Sequence, residues 1–219
     1  MTDRSAPEVT YRPFRAHDAG DVTDTRAIID EAFFIHRYVR RPVLLDSLLE
    51  VYLRGSLLVS SYAQVAVRDG RVIGVLMGRV SGEPRLAGAF RSALLVAGHM
   101  LRLAVVGFPE RRSLRQFFAF NRTYRRLRRA ATAPLTDELT LFAVEAEARG
   151  LGVGRSLYEG FLTRLREHGR KDFYLYTDTL STYGFYERRG MTRAASEDLT
   201  VYLDGEPTVV GVYLYAGRV

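Results

Sequence analysis

The stretch that decides the fold of this 219-residue chain reads Arg149-Gly150-Leu151-Gly152-Val153-Gly154. It lies between residues 138–144, which have the apolar and β-branched pattern of a strand, and an amphipathic helix predicted over about 152–168. Free amide groups and the positive end of the helix dipole favour an anion at such a helix start, and glycines let a phosphate approach the main chain. The stretch therefore predicts a phosphate site, although glycines placed only for tight packing would give the same pattern.

Two common phosphate-binding motifs are excluded by the residues present. A dinucleotide fingerprint needs a third glycine where Arg155 stands, and a P-loop needs a Gly-Lys-Ser/Thr sequence that is absent. Residues 144–154 read V-x-A-x-x-R-G-x-G-x-G and resemble the acetyl-coenzyme A pyrophosphate loop of the GNAT acetyltransferase superfamily, Gln/Arg-x-x-Gly-x-Gly/Ala. The residues that match are Arg149, Gly152 and Gly154. A proline frequent in the family at the position of Ala146 is absent, and we expect its absence to loosen the loop.

A second block of sequence resembles the same superfamily. Residues 185–191 read Phe-Tyr-Glu-Arg-Arg-Gly-Met and are similar to the family segment Phe-Tyr-Glu-x-x-Gly-Phe, on the helix after the fifth strand. This block follows the loop at the distance that the family requires. The chain is therefore identified as a member of the superfamily over residues 138–191, and by the order of its elements over 10–80 and 195–215.

The resemblance implies one α/β (α+β) domain over residues 1–219, with a mixed, mostly antiparallel central sheet flanked by helices. Asp69-Gly70 and Asp204-Gly205 are typical of tight hairpin turns. Residues 81–135 match no part of the family core and are predicted to form a two-helix insertion between the third and fourth strands. Hydrophobic periodicity predicts strands at 10–16, 62–67, 71–80, 138–144, 172–177, 195–203 and 208–215, and helices at 24–37, after Pro42, at 152–168 and at 179–189.

The resemblance also implies an activity, which is direct transfer of an acetyl group from acetyl-coenzyme A to a primary amine in a ternary complex. The amine would belong to a small molecule, a peptide or a protein. Tyr186 matches the tyrosine that protonates the coenzyme A sulfur, and a phenol with a pKa of about 10 suits a thiol of about 8.5. Tyr186 could instead only pack on the pantetheine arm, and Tyr183 is a rival acid. Glu138 stands where several members carry a general base, although most strand-end carboxylates are only solvated.

The resemblance places acetyl-coenzyme A, as a co-substrate without a metal, between the fourth and fifth strands and on the glycine-rich loop. Backbone amides near Ala143 and Val144 would bind the thioester carbonyl oxygen. Thr179 stands where many members have an asparagine that contacts the pantetheine arm. The complete set of predicted coenzyme-binding residues is Phe142, Ala143, Val144, Arg149, Gly150, Leu151, Gly152, Val153, Gly154, Arg155, Thr179 and Tyr183.

The amine substrate would be bounded by the connection of the first two helices and by the C-terminal hairpin. That connection reads His36-Arg37-Tyr38-Val39-Arg40-Arg41, and its three arginines would suit a carboxylate or phosphate on the amine substrate. A solvated basic loop also explains these arginines and is the interpretation that we favour.

Composition excludes several classes of site. The chain has no cysteine, which rules out disulfide scaffolds, cysteine-ligated metals and a cysteine nucleophile, and its four histidines are scattered. Residues 1–10 lack the apolar core of a signal peptide, so we expect a cytoplasmic protein. The apolar segment 86–106 is interrupted by Arg91 and Arg102, which favours a buried helix over a membrane span.

The net charge of +7 is concentrated in the predicted insertion. Residues 111–129 hold eight arginines and no acid, and without these eight charges the net charge becomes −1. On a single helix the arginines and the apolar residues would occupy opposite sectors: Arg111, Arg115, Arg122, Arg126 and Arg129 against Phe117, Phe120, Tyr124 and Leu127.

Several roles are open for this basic helix. We favour an apolar side packed on the 86–106 helix, with the arginines solvated. A membrane-surface contact, a lid over the amine site and a homodimer contact stay open, whereas a nucleic-acid partner is not expected because the rest of the chain is not basic. The alternative to an enzyme is a non-catalytic acyl-coenzyme A sensor that binds an anionic partner through the basic helix 110–129.

Overall fold

The computed structural model describes residues 8–219, except for the side chain of Ser113. Most of the segment 1–10, on which the expectation about a signal peptide rests, lies outside the described residues. The strands within them are β1 (Thr10–Pro13), β2 (Tyr62–Arg68), β3 (Arg71–Arg79), β4 (Asp137–Val144), β5 (Asp172–Asp178), β6 (Thr192–Leu203) and β7 (Glu206–Arg218).

These strands form a seven-stranded sheet in the order β1-β2-β3-β4-β5-β7-β6. Every neighbouring pair is antiparallel except β4 and β5, which are parallel. The prediction of a mixed, mostly antiparallel sheet is therefore confirmed. The two predicted hairpin turns are also present, with Asp69-Gly70 and Asp204-Gly205 in the left-handed region that tight hairpins require.

The α-helices of the described residues were predicted with different accuracy. The start of the first helix was predicted five residues too late, because Asp18 caps it by accepting the N–H of Asp21 at 3.0 Å. It also ends early, at a left-handed Phe34 that leads into a 3-10 turn over Ile35–Arg37. The helices are α1 (Ala19–Phe33), α2 (Pro42–Val59), α3 (Ala89–Val106), α4 (Arg111–Phe117), α5 (Ala119–Ala130), α6 (Val153–Glu167) and α7 (Gly184–Glu187).

Different helices cover the two faces of the sheet. α6 covers one face, where Phe161 and Leu157 are fully buried against β3, β4 and β5. α1 and α2 cover the opposite face over β2–β4, with Leu48 in the core. On that same face α5 covers β5, β7 and β6, and Leu127 packs beside Leu214. We call the first of these the α6 face and the second the α5 face.

The parallel pair at the centre of the sheet separates after three residues. Pairing runs from Asp137 with Phe173 to Leu139 with Leu175, and β4 and β5 pair no further in the described residues. At that point β4 contains a bulge. Leu139 and Leu141 pair with Gly78 and Met77, which are consecutive on β3, so Thr140 between them is the extra residue. A bulge bends a strand and increases its twist. The carboxyl halves of β4 and β5 therefore diverge and leave a cleft between them.

The insertion between β3 and β4 contains three α-helices, and the prediction of two was wrong. The arginine-rich helix is divided at Phe118 into α4 and α5, so that Phe118 packs with Leu114 while Phe120 contacts Tyr38. Because of this division, the arginines and the apolar residues do not occupy the two opposite sectors that were predicted for a single helix. Arg126 in particular turns to Glu197 of β6 and pairs with it.

The expectation that the apolar helix is buried was also wrong. α3 packs on α2 along one side, where its buried residues are Ser92 and Leu103, and its other side is exposed. Within residues 8–219, α3 is long and apolar enough to cross a membrane by length and composition alone. Periodicity shows that a helix is apolar but not what covers it, and much of α3 has no neighbour among the residues that the structure describes.

Candidate active site

The glycine-rich loop joins β4 to α6 and exposes a row of backbone amides. Gly150 and Gly152 have φ of +83° and +79°, a conformation that glycine adopts without strain, and Gly152 is the N-cap of α6. The N–H groups of Val153, Gly154 and Arg155 have no acceptor among the described residues. Three free donors at the positive end of a helix dipole are suited to an anion, the kind of ligand that the sequence leads us to expect here.

The loop is fastened to the rest of the domain, contrary to the expectation drawn from the missing proline. The N–H of Ala146 donates to Oε1 of Glu31 on α1 at 2.9 Å, and Arg149 lies 3.8 Å from the same oxygen. Glu145 donates its N–H to Ile73 of β3 at 3.0 Å. A proline at position 146 would lack the N–H that Glu31 binds, so this anchor requires a residue other than proline at that position.

The open edge of β4 supplies amides to the cleft. Glu145 donates to β3, and backbone groups alternate between the two edges of a strand, so the amide of Ala143 also points to β3. The amides of Phe142 and Val144 point the other way, toward the diverging β5. Of the amides predicted to lie near the thioester, that of Val144 is therefore open to the cleft, together with that of Phe142, whereas that of Ala143 is directed to β3.

Tyr186 lies on the α6 face of the cleft. Its ring is buried and packs on Phe185 and Phe142, with centroids 5.4 and 6.5 Å apart. Burial raises the pKa of its phenol well above the ordinary value, so the phenol is protonated at neutral pH but is a weaker acid toward a thiolate than an ordinary phenol. The hydroxyl has no hydrogen-bond partner within residues 8–219 and is free to donate to a ligand.

The other two predicted residues near α7 are occupied with β7. Tyr183 packs edge-on against Tyr213, with centroids 5.5 Å apart. Thr179 and Gly211 exchange two bonds: the Thr179 N–H donates to the Gly211 carbonyl at 2.9 Å, and the Thr179 hydroxyl accepts from the Gly211 N–H at 3.1 Å. Thr179 therefore fixes the end of β5 to β7 and has less capacity left for a pantetheine arm than an asparagine would have.

Glu138 lies on the α5 face, at the point where β4 and β5 begin to diverge. Its Oε2 accepts from the Tyr174 hydroxyl at 2.8 Å, and that hydroxyl in turn accepts from Nη1 of Arg128 at 2.8 Å. Burial raises the pKa of the Glu138 carboxyl, and the Tyr174 hydrogen bond and the Arg128 charge only partly oppose this. A held carboxylate with a raised pKa is suited to accept a proton near neutral pH.

A tyrosine cluster, consisting of Tyr38, Tyr52, Tyr124 and Tyr176, lies beside Glu138 on the same face. Tyr124 of α5 stacks on Tyr176 of β5 with centroids 4.4 Å apart. Burial raises the pKa of all four phenols, that of Tyr176 to about 12. In the described part of the chain, none of their hydroxyls forms a hydrogen bond to another group. Four unbonded hydroxyls in one place are donors and acceptors for a ligand.

Asp178 adds a carboxylate at the edge of the tyrosine cluster. Its Oδ1 accepts from the backbone of Leu180 and Ser181 and from the Ser181 hydroxyl at 2.9 to 3.1 Å. Burial raises the pKa of Asp178, and its charge acts on Tyr38, Tyr52 and Tyr124. Asp178 is a candidate site residue that the sequence alone did not single out. The signal was present, because Tyr174, Tyr176 and Asp178 alternate on one face of β5.

The connection of the first two helices meets the C-terminal hairpin, and these are the two segments that we expect to bound the amine site. Arg37 donates to Asp204 at 2.6 Å, and the Asp204 N–H donates to the Arg37 carbonyl at 2.9 Å. Arg41 donates to the carbonyl of Val106 at 2.8 Å. Two of the three arginines therefore fasten the connection to neighbouring segments, and their side chains stay in contact with solvent, as in the solvated basic loop that we favoured.

Residues 28–191 match the model of the Acetyltransferase (GNAT) family. The fold is similar to that of the ribosomal-protein-S18-alanine N-acetyltransferase from Escherichia coli, with a TM-score of 0.53 at 12% identity over 96% of this chain and 94% of that one. Protein yncA from Salmonella typhimurium, solved with acetyl-CoA, has a TM-score of 0.51 at 16% identity, over 96% of this chain and 93% of that one. An N-acetyltransferase from Staphylococcus aureus Mu50 has a TM-score of 0.51 at 14% identity, over 96% of this chain and 98% of that one. No curated protein matches the sequence.

Proposed function

Because the chain belongs to the GNAT family of acetyltransferases, we propose that it transfers the acetyl group of acetyl-coenzyme A to a primary amine with Glu138 as base and Tyr186 as acid. The observation that carries the proposal is the cleft between β4 and β5. It has a carboxylate of raised pKa on its α5 face and a protonated phenol on its α6 face. An amine and a thioester that enter from opposite faces would meet between these two groups.

The coenzyme would bind through its pyrophosphate on the free amides of Val153, Gly154 and Arg155. Its pantetheine arm would replace the missing strand along the open edge of β4, with the thioester oxygen on the amides of Phe142 or Val144. Backbone amides that point at the developing oxyanion stabilise the tetrahedral intermediate without reorganisation.

In the chemical step the lone pair of the neutral amine forms a C–N bond to the thioester carbon. Glu138 takes the proton that the amine nitrogen loses, directly or through one water. The intermediate then collapses, the C–S bond breaks, and Tyr186 gives its proton to the departing sulfur. The products are the acetylated amine and coenzyme A, with both protons accounted for.

The amine substrate would bind in the tyrosine cluster. Asp178 attracts an ammonium group, and the rings of Tyr124 and Tyr176 offer faces that favour a cation. α5 lies across this site, since Tyr124 stacks on Tyr176 and Arg128 bonds to Tyr174. A site covered by α5 suits a small-molecule amine better than a folded protein. In this proposal α4–α5 forms a lid over the amine site, which is one of the roles that the sequence left open for the basic helix.

The proposal is tested by release of free thiol from acetyl-coenzyme A in the presence of a panel of small amines. We expect turnover with at least one cationic amine, and initial-rate lines that intersect, as direct transfer requires. Coenzyme binding without thiol release for any amine in the panel would overturn the proposal. Parallel lines would indicate a covalent acetyl-enzyme and overturn direct transfer.

Replacement of Asp178 by asparagine should weaken binding of the amine. Asparagine retains the oxygen that accepts from Leu180 and Ser181 but removes the negative charge. We expect the KM of the amine to rise about tenfold or more while the KM of acetyl-coenzyme A changes less than about twofold. The matched control is Asp172→Asn at the other end of β5. Equal amine KM values for the two variants would contradict the role of Asp178.

Replacement of Glu31 by alanine should release the glycine-rich loop. The change removes the bond to the Ala146 N–H, and we expect a rise of about three- to tenfold in the KM of acetyl-coenzyme A with kcat nearly unchanged. Glu147→Ala, an exposed glutamate in the same loop, is the control and should have no effect. If both variants keep the wild-type KM, the anchor does not shape the coenzyme site.

A further inference from the structure

The exposed side of α3 is an apolar ridge that residues 8–219 leave largely uncovered. The ridge consists of Phe90, Leu94, Leu101, Val105 and Phe108, whose spacing places them on one side of the helix and the turn after it. Each is between 58 and 78% exposed. Soluble monomers rarely expose a contiguous apolar surface of this kind, and where they do it marks an interaction site.

Arginines border the apolar ridge. On one side a groove of about 480 Å³ separates α3 from α4–α5, with Met100, Leu103 and Ala104 on its wall. On the other side of the ridge, Arg91 and Arg102 extend from α3 itself, where Arg91 contacts His17 and Arg102 pairs with Asp46. The arginines that line the groove are Arg111, Arg115, Arg122 and Arg125.

Acidic residues are nearly absent from this part of the chain. Residues 84–136 contain eleven arginines and one acid, Glu110. Glu110 is engaged within the fold, because it accepts the N–H of Arg40 at 2.9 Å. Arg115, Arg122 and Arg125 form no ion pair with an acid of residues 8–219. Their charges are therefore available to an external anion.

We propose that this surface, the apolar ridge with its bordering arginines, docks the enzyme on an anionic lipid bilayer. An apolar strip that enters the headgroup region, flanked by arginines at the level of the phosphates, is the arrangement of helices that lie in a membrane interface. In a bilayer the apolar ridge would contact the acyl chains, and the arginines would contact the anionic headgroups. One type of partner therefore accounts for both the apolar and the charged residues of the surface.

Other occupants fit the surface less well. A second copy joined by a two-fold axis would bring two arginine-bordered surfaces together without acids to pair with them. A nucleic acid would leave the apolar ridge without a counterpart. A span of the membrane by α3 is incompatible with the sheet, because β3 and β4 precede and follow the insertion and pair with each other. The helix therefore lies on the membrane instead of crossing it.

Flotation with vesicles tests the proposal on the full-length protein. We expect binding to phosphatidylcholine vesicles that contain about 30% phosphatidylglycerol, at least about tenfold weaker binding to phosphatidylcholine alone, and release by about 0.5 M salt. Sedimentation of the free protein at the same concentrations measures its oligomeric state.

Two pairs of variants separate the apolar and the charged contributions. Leu94→Ser with Leu101→Ser in the apolar ridge, and Arg115→Gln with Arg122→Gln in the groove, should each lower vesicle binding about tenfold or more. The controls are Val209→Ser, an equally exposed valine on β7, and Arg166→Gln with Arg218→Gln, which remove the same charge elsewhere. All positions are exposed, and thermal unfolding should match the wild type.

Three results would overturn the proposal. The first is no binding to anionic vesicles, or equal binding to neutral ones. The second is binding that survives in both surface variants or falls equally in their controls. The third is a wild-type dimer that becomes a monomer in the Leu94→Ser, Leu101→Ser variant, which would assign the apolar ridge to a second copy of the chain.

Discussion

Replacement of Glu138 by glutamine is expected to lower kcat/KM by about 10²-fold or more, measured by thiol release. Glutamine has nearly the same shape and keeps an oxygen for the Tyr174 hydroxyl, so the variant removes the basic group and little else. The exposed Glu206→Gln is the matched control and should keep full activity. Wild-type activity in Glu138→Gln would place the base elsewhere.

The pH profile distinguishes a base from a structural carboxylate. Burial raises the pKa of Glu138, and the base is active only when ionised, so kcat/KM of the wild type should fall as pH drops through this raised pKa. The Tyr174 hydrogen bond favours the ionised form. Tyr174→Phe should therefore move the acid limb to higher pH. A limb that stays in place in this variant would show that another group titrates.

Stability gives a second readout for the same residue. A carboxyl whose pKa is raised by folding stabilises the fold at low pH, and this contribution is lost as pH rises through the folded-state pKa. At neutral pH the buried charge of Glu138 is therefore unfavourable, and Glu138→Gln should melt at the same temperature as the wild type or higher. A lower melting temperature would indicate that the loss of activity reflects loss of structure.

The parts of the site that the sequence predicts are those that depend on local chemistry. Gly150 and Gly152 occupy the left-handed region that glycine favours, and the free amides after them follow from the start of α6. Glu138 is at the start of β4, within one residue of the predicted strand, and Tyr186 is on the short helix after β5. Hydrophobic periodicity provides the order of strand, loop and helix that places these residues, whereas the roles of Glu138 and Tyr186 are implied only by the family resemblance.

The parts that the sequence did not predict depend on contacts between distant elements. The cleft requires the bulge at Thr140, which appears only when β4 pairs with β3. The tyrosine cluster draws on α2, α5, β5 and the turn at Tyr38, and no spacing along the chain reveals that these meet. The same limit explains α3, since an apolar helix has the same pattern whether protein or a lipid surface covers it.

Replacement of Tyr186 by phenylalanine should separate acid catalysis from packing. Phenylalanine keeps the ring contacts with Phe142 and Phe185 and removes only the hydroxyl. We expect kcat to fall about 10- to 100-fold while the affinity for coenzyme A, measured by calorimetry, changes less than about twofold. Unchanged kcat would show that Tyr186 only packs.

The rival residue and the nature of the leaving group make this test specific. Tyr183→Phe removes a hydroxyl one turn earlier on the same segment and should leave kcat near the wild-type value, because the Tyr183 ring packs on Tyr213.

An acid assists only a leaving group that needs a proton. The defect of Tyr186→Phe should thus shrink with p-nitrophenyl acetate as acetyl donor, since its phenolate departs unprotonated near neutral pH. A defect of equal size with both donors would mean that Tyr186 positions the coenzyme without transferring a proton.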